Sequence, residues 1–214
     1  MDEDIALVNR ATNIEKIKNF FINNKKRLIF SALTLFILVF VFFIYLDIKK
    51  KNQTKLANKY NYILNEFTSG NKKNLENELI EIINSKDKTY SPLALYFLID
   101  NDFNKTNNEI NLLFDALIDN TKLDKEIKNL IIYKKALFNS ENETENNLIN
   151  ILNPVLNSSS IWKSHALYLL GEYFYSKNEK QKAKEFFEKI VDLENGNVIL
   201  KNESKKRIQR DLSD

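Results

Sequence analysis

Cysteine is absent from this sequence of 214 residues, and glycine, proline and histidine occur only three times, twice and once. Without a thiol the chain cannot form a disulfide or a cysteine-based zinc site, and the single imidazole of His165 excludes a metal site built from several histidines. Multi-stranded folds and glycine-rich phosphate loops need more turn-forming residues than this. Helices joined by polar connections do not, so the sequence predicts an all-α protein.

The charges of the chain nearly balance, with 32 Lys and Arg against 29 Asp and Glu. Residues 1–27 hold six of the basic and four of the acidic residues, which leaves 26 and 25 for residues 47–214. A domain this close to neutrality has no concentrated basic face with which to neutralise many phosphates. We therefore expect no nucleic acid among its partners.

Motifs that carry catalysis are missing from the sequence. A catalytic base needs a nucleophile or an orienting acid, and the residues around His165 form no such motif, so a position on a helix surface or in a groove is favoured for it. The acidic run at residues 141–145 lacks the spaced oxygen ligands and the glycine of a calcium loop. Phosphate-loop, serine-hydrolase and zinc-protease signatures are also absent. The sequence predicts a protein that is not an enzyme, with no cofactor, metal or small-molecule substrate.

One uninterrupted apolar run, from Leu28 to Leu46, contains no charged residue. Its 19 residues would form about 28 Å of helix, close to the roughly 30 Å hydrocarbon core of a bilayer. A buried core helix would carry a polar stripe and a cleaved signal peptide would end in small residues, and the run shows neither feature. We expect an N-terminal segment at 1–27, one transmembrane helix at 28–47 and a repeat domain at 48–214.

Basic residues flank the apolar run on both sides, with Lys25, Lys26 and Arg27 before it and Lys49 and Lys50 after it. The positive-inside rule depends on an excess on one side, so the charges alone leave the topology open. Residues 1–27 fit either an amphipathic helix beside the membrane or a short helical tail. The second is favoured, because basic residues next to a membrane helix commonly hold it at the headgroups.

The clearest repeat lies between Ser164 and Asn195, where a polar turn separates two amphipathic segments. Small residues would let the two helices approach closely, and large apolar residues would fill the space beside that contact. The signature residues, in order, are Leu170, Gly171, Phe174, Ala183, Phe187 and Ile190. Their order and spacing resemble the tetratricopeptide repeat (TPR) motif, although Leu167 stands where a tryptophan is usual and Asn195 where a proline is usual. We expect Trp162 to pack between repeats rather than on a ligand.

The spacing of these residues recurs earlier in the chain. The equivalents of Phe187 are Leu79, Phe114 and Leu152, so successive repeats are 35, 38 and 35 residues apart, and one TPR hairpin occupies about 34 residues. The sequence predicts a TPR-like, right-handed array of helical hairpins; an irregular bundle is the alternative. The predicted repeats lie at about 55–85, 91–120, 123–157 and 161–195, followed by a capping helix at 197–212.

Local signals place some helix ends. Ser91 followed by Pro92 predicts a helix N-cap and first helical residue, and Pro154 should end or kink the helix that contains it.

The whole arrangement of anchor, degenerate repeats and capping helix resembles the bacterial inner-membrane TPR-like family related to the ancillary subunit of the SecYEG translocon. Residues 152–191 carry the clearest part of the resemblance. It implies a cytoplasmic N-terminus, a periplasmic repeat domain and a role as a protein–protein interaction module. The implied partners are translocon subunits, periplasmic chaperones or exported proteins.

Three alternatives to that role stay open. The chain would be a structural scaffold in another cell-envelope complex if the anchor helix made the main contact. It would be a regulator if residues 1–27 carried the signal. A cytoplasmic repeat domain is compatible with the balanced charges.

Overall fold

The computed structural model describes residues 15–16 and 18–212, and within them the chain is helical and contains no strand. The predicted all-α class is confirmed. Residues 18–23 are helical, and the helices that follow are α1 Lys25–Thr68, α2 Leu75–Asn84, α3 Tyr90–Asp100, α4 Asn107–Asn120, α5 Lys125–Asn139, α6 Glu145–Leu156, α7 Lys163–Ser176, α8 Lys180–Asp192 and α9 Val198–Asp211. Much of the predicted N-terminal segment, residues 1–14 and 17, lies outside the described residues.

Two compact units divide the chain, Met1–Lys55 and Leu56–Asp214, and α1 contributes residues to both. In the first unit the large apolar side chains from Ile29 to Ile48 are 41 to 72% exposed. The two aliphatic hydroxyls inside the apolar run donate to backbone carbonyls, Ser31 to Leu28 at 2.9 Å and Thr34 to Phe30 at 3.0 Å. Such bonds satisfy polar groups within the helix itself. Among the described residues, α1 is the one helix long and apolar enough to cross a membrane.

In the second unit the main packing contacts join consecutive helices, or two helices with one other helix between them in the sequence. For example, α5 packs against α6 and α7, and α7 packs against α8 and α9. Each helix of this unit thus packs mainly against its neighbours in the sequence.

Two apolar cores form along the second unit, and α5 lies between them. Its neighbouring residues Ile131 and Ile132 belong to different cores. The first core is built around Ile63, Leu79, Leu95, Phe114 and Leu117. The second is built around Leu152, Leu170, Phe174, Phe187 and Ile190. The part of α5 that faces neither core stays accessible to solvent, and it includes Ile127 and Lys134.

The start of α3 differs from the prediction. Ser91 is not an N-cap, because α3 begins at Tyr90 and the Ser91 hydroxyl is buried, where it donates to the backbone carbonyl of Ile82 at 2.7 Å. The carboxylate of Asp87 instead accepts from the backbone N–H groups of Thr89 and Tyr90, at 2.9 and 2.8 Å. The Ser91 hydroxyl therefore satisfies a backbone carbonyl near the end of α2, and the Asp87 carboxylate satisfies backbone N–H groups at the start of α3.

Proline and threonine mark other helix ends. Pro154 lies in the last turn of α6, which ends at Leu156. At the start of α4, Thr106 and Glu109 form a reciprocal capping box. Its hydrogen bonds satisfy backbone donors that the first turn of a helix otherwise leaves free.

Candidate interaction surface

The odd-numbered helices α3, α5 and α7 present a row of partly exposed apolar and aromatic side chains. On α5 the row follows from helical spacing, since residues three and four apart share one face. We define the α3–α5–α7 surface by residues that contact one another or line one groove. They are Leu93, Tyr96, Ile127, Leu130, Tyr133, Lys134, Trp162 and His165.

A groove of about 360 Å³ runs between α3 and α5. Its lining residues are Lys88, Thr89, Pro92, Leu93, Tyr96, Asp124, Ile127 and Leu130. Leu93 and Ile127 stand on opposite sides of it and are 40% and 39% exposed. Because the lining is mainly apolar, the groove suits apolar side chains of a partner better than a polar metabolite.

Tyr96 lies in the wall of this groove. Its hydroxyl is buried and has no hydrogen-bond partner within the part of the chain that the structure describes. Burial raises the pKa of Tyr96 well above its usual value, so the phenol stays neutral. The ammonium nitrogen of Lys134 lies 5.8 Å from the centre of the Tyr96 ring, which links α5 to α3 at this point.

Between α5 and α7 the surface continues as three rings. Tyr133 and Trp162 are stacked with their centroids 6.0 Å apart, and the His165 ring lies 5.0 Å from Trp162 and 5.8 Å from Tyr133. Burial lowers the pKa of His165, and the polar backbone of Ile161 opposes that shift. The imidazole is therefore mainly neutral near pH 7 and belongs to an amphipathic aromatic cluster.

A polar contact fixes the distance between α5 and α7 at one end of the surface. One carboxylate oxygen of Glu126 accepts from the Ser160 hydroxyl at 2.6 Å and from the Ile161 backbone N–H at 3.2 Å. These bonds hold the segment before α7 against the first turn of α5. They also set the position of Trp162, which directly follows Ile161 and caps α7.

The six signature residues of the sequence are not part of this surface. Leu170, Gly171, Phe174, Ala183, Phe187 and Ile190 are all buried between α7 and α8. A Cβ on Gly171 would lie 2.7 Å from a ring carbon of Phe187, so only glycine permits the observed approach of the two helices. These residues shape the core and position α7; a partner could not touch them.

Sequence reasoning missed the surface residues on α3 and α5. The available signal was the composition of α3, whose sequence YSPLALYFLID is apolar around nearly the whole helix. A helix of that kind packs on more than one side or exposes an apolar stripe. Leu93 and Tyr96 form that stripe here.

Comparison with protein-family models, with curated proteins and with solved structures gives no match to this chain. Among the described residues, no group of three or more His, Asp or Glu side chains is placed to hold a metal ion. Two features of the chain itself bear on its function, the apolar part of helix α1 and the α3–α5–α7 surface.

Proposed function

We propose that the chain is a membrane-anchored protein–protein interaction module. The observation that carries the proposal is the combination of an unburied apolar helix in the first unit with a folded second unit that exposes an aromatic and aliphatic groove. The helix requires a bilayer around it, because water would solvate so much apolar surface at great cost. The α3–α5–α7 surface, which includes the groove, offers residue types that interfaces favour, among them Tyr96, Tyr133 and Trp162.

The fold we propose for the second unit is a TPR-like, right-handed array of hairpins with α9 as its cap. Support comes from the repeat spacing of Leu79, Phe114, Leu152 and Phe187. Each of these residues is fully or almost fully buried, and each lies on an even-numbered helix. In such arrays the first helices of the hairpins line a common binding face, and here those helices would be α3, α5 and α7.

The partners we propose are subunits of the Sec translocon together with periplasmic chaperones or exported proteins. The N-terminal segment 1–27 would be cytoplasmic and the repeat domain periplasmic, in a single-pass protein of the bacterial inner membrane. This part rests on the resemblance of the anchor, the repeats and residues 152–191 to the translocon-associated family. It adds an identity for the partner of the proposed interaction surface.

Affinity purification of the tagged full-length protein from crosslinked membranes tests the proposal. The informative variant is Ile127→Glu, which places a charge in the groove, and its matched control is Leu112→Glu, since Leu112 is an exposed leucine on α4. We expect translocon subunits and chaperones to be recovered with the wild type and with Leu112→Glu, and to be lost with Ile127→Glu. Equal recovery with all three proteins would show that the groove does not bind these partners.

A scaffold role in another envelope complex is the second candidate, and the exposure of the apolar part of α1, from Ile29 to Ile48, favours it. In that case the anchor itself would contact partner helices in the membrane. Replacing Leu28–Leu46 by an unrelated apolar helix separates the two roles. Partner recovery that survives the exchange supports the folded unit as the binding element, whereas loss supports the anchor.

A further inference from the structure

Two basic clusters border the apolar part of α1. The first is Lys25, Lys26 and Arg27, and the second is Lys49, Lys50 and Lys51; all six side chains are exposed. Arg27 and Lys49 are 22 residues apart in one continuous helix, which corresponds to about 33 Å at the rise of an α-helix. That length is close to the hydrocarbon thickness of a bilayer, so the two clusters are spaced to meet its two headgroup layers.

The second cluster surrounds the helix instead of marking one face. Successive residues of an α-helix point about 100° apart, so Lys49, Lys50 and Lys51 project in three well-separated directions. Lys55, also exposed, adds a fourth cation on the next turn. A protein partner would contact one side of the helix. Lipid headgroups contact all sides, and the arrangement fits them better.

Acidic residues do little to neutralise this cluster. Asp47 is the only carboxylate in the sequence between Lys16 and Lys59. It pairs with Lys51 at 2.8 Å, and both side chains are largely exposed to solvent. Lys49, Lys50 and Lys55 remain as cations beside the predicted membrane surface, where each Lys strengthens attraction to anionic lipid about fivefold.

We infer that Lys49, Lys50, Lys51 and Lys55 form a lysine collar that binds the phosphate-bearing headgroups of anionic phospholipids. Lys25, Lys26 and Arg27 form its counterpart in the opposite leaflet. The inference rests on the proposed membrane anchoring and goes beyond it, because an apolar helix needs a bilayer but has no preference for headgroup charge. The collar gives the protein a preference for negatively charged headgroups. The lipids in contact with the protein should therefore be enriched in anionic phospholipid.

The test uses the full-length protein reconstituted in vesicles of phosphatidylcholine that contain a minor fraction of phosphatidylglycerol. Spin-labelled lipids of each kind report the relative association constant at the protein surface. The collar variant carries Lys→Gln at residues 49, 50, 51 and 55. The control carries the same change at Lys73, Lys122, Lys128 and Lys205, four exposed lysines of the second unit.

We expect the wild type and the control to favour phosphatidylglycerol severalfold over phosphatidylcholine, with a preference that falls as salt is added. In the collar variant the ratio should fall, and the part that remains should be the part that Lys25, Lys26 and Arg27 supply in the opposite leaflet. At constant ionic strength, replacing chloride by inorganic phosphate should leave the wild-type ratio unchanged, because the ligand is the headgroup within the bilayer. If free phosphate abolished the preference for phosphatidylglycerol, the assignment of the ligand as a lipid headgroup would be wrong.

Two failures are distinguishable. If the protein is retained in the vesicles after carbonate washing but the wild-type ratio is close to one, the collar has no lipid preference and the inference is wrong. If the protein is washed away from vesicles of every composition, the anchoring fails, and the proposed function and the collar fall together.

Discussion

Asn111 and Asn139 exchange two amide hydrogen bonds across α4 and α5. The Asn111 amide nitrogen donates to the Asn139 oxygen at 2.8 Å, and the Asn139 nitrogen donates in return to the Asn111 oxygen at 2.7 Å. Asn139 is only 4% exposed. A reciprocal amide pair has directional requirements that apolar contacts lack, so it fixes the register of α4 against α5, the helix that separates the two cores.

Breaking this pair on one side should destabilise the second unit. Replacement Asn139→Leu leaves the Asn111 amide without its partner, and we expect a loss of about 1–3 kcal/mol in the free energy of unfolding. The double replacement of Asn111 and Asn139 by leucine should cost less than the two single changes together. Urea unfolding followed by Trp162 fluorescence measures all three variants, and strictly additive losses would show that the amides are not coupled.

Gly171 should not tolerate even a methyl group. Alanine is ordinarily better than glycine in a helix by about 1 kcal/mol, but the added Cβ would lie 2.7 Å from Phe187. We therefore expect Gly171→Ala to lower the free energy of unfolding by about 1–3 kcal/mol. Combining it with Phe187→Leu should recover part of the loss. A Gly171→Ala variant as stable as the wild type would contradict the close approach of α7 and α8.

The attachment of α9 to α7 depends on Arg207. Its guanidinium binds the Glu172 carboxylate, with Nε at 2.8 Å from one oxygen, and lies 4.6 Å from the centre of the Tyr175 ring. Replacement Arg207→Ala should cost about 1 kcal/mol after allowance for partial exposure of the pair. Lys206→Ala, which removes a more exposed pair with Glu203, is the matched control. Equal melting temperatures for the two variants would show that Arg207 does not hold α9.

The capping box of α4 predicts a pH dependence. Hydrogen bonds from the Thr106 backbone and hydroxyl, then from Lys105, lower the pKa of Glu109 from 4.5 to about 2. A depressed carboxyl pKa stabilises the fold above the unfolded value, and that contribution is lost as the pH falls from about 4.5 through 2. Thr106→Ala should raise the pKa of Glu109, as measured by NMR titration. Thr144→Ala, at the cap of α6, should leave that pKa unchanged.

Part of this structure could be predicted from the sequence because it depends on local composition. The all-helical class follows from scarce turn residues and from helical periodicity. The apolar helix follows from the uncharged run Leu28–Leu46, since no partner segment is needed to recognise it. The right-handed hairpin array stays a prediction, supported by the spacing of Leu79, Phe114, Leu152 and Phe187.

Features that depend on which helices meet could not be predicted. The buried Ser91 hydroxyl serves the end of α2 rather than the start of α3, because Ser91 packs against that helix end. The stack of Tyr133 on Trp162 joins residues 29 positions apart, one on α5 and the other at the N-cap of α7. Neither contact can be recognised from local residue patterns. The groove between α3 and α5 could not be predicted for the same reason, because its two sides come from helices that are not consecutive in the sequence.

Site-specific photocrosslinking in intact membranes tests the central claim most directly. A photoreactive residue would replace Ile127 in the groove in one variant and Leu112 on α4 in another; both native side chains are exposed and apolar. The account predicts a discrete crosslink from position 127 to a translocon subunit, a chaperone or an exported protein, and none from position 112. Crosslinks of equal yield from both positions, or from position 112 alone, would contradict a binding role for the α3–α5–α7 surface.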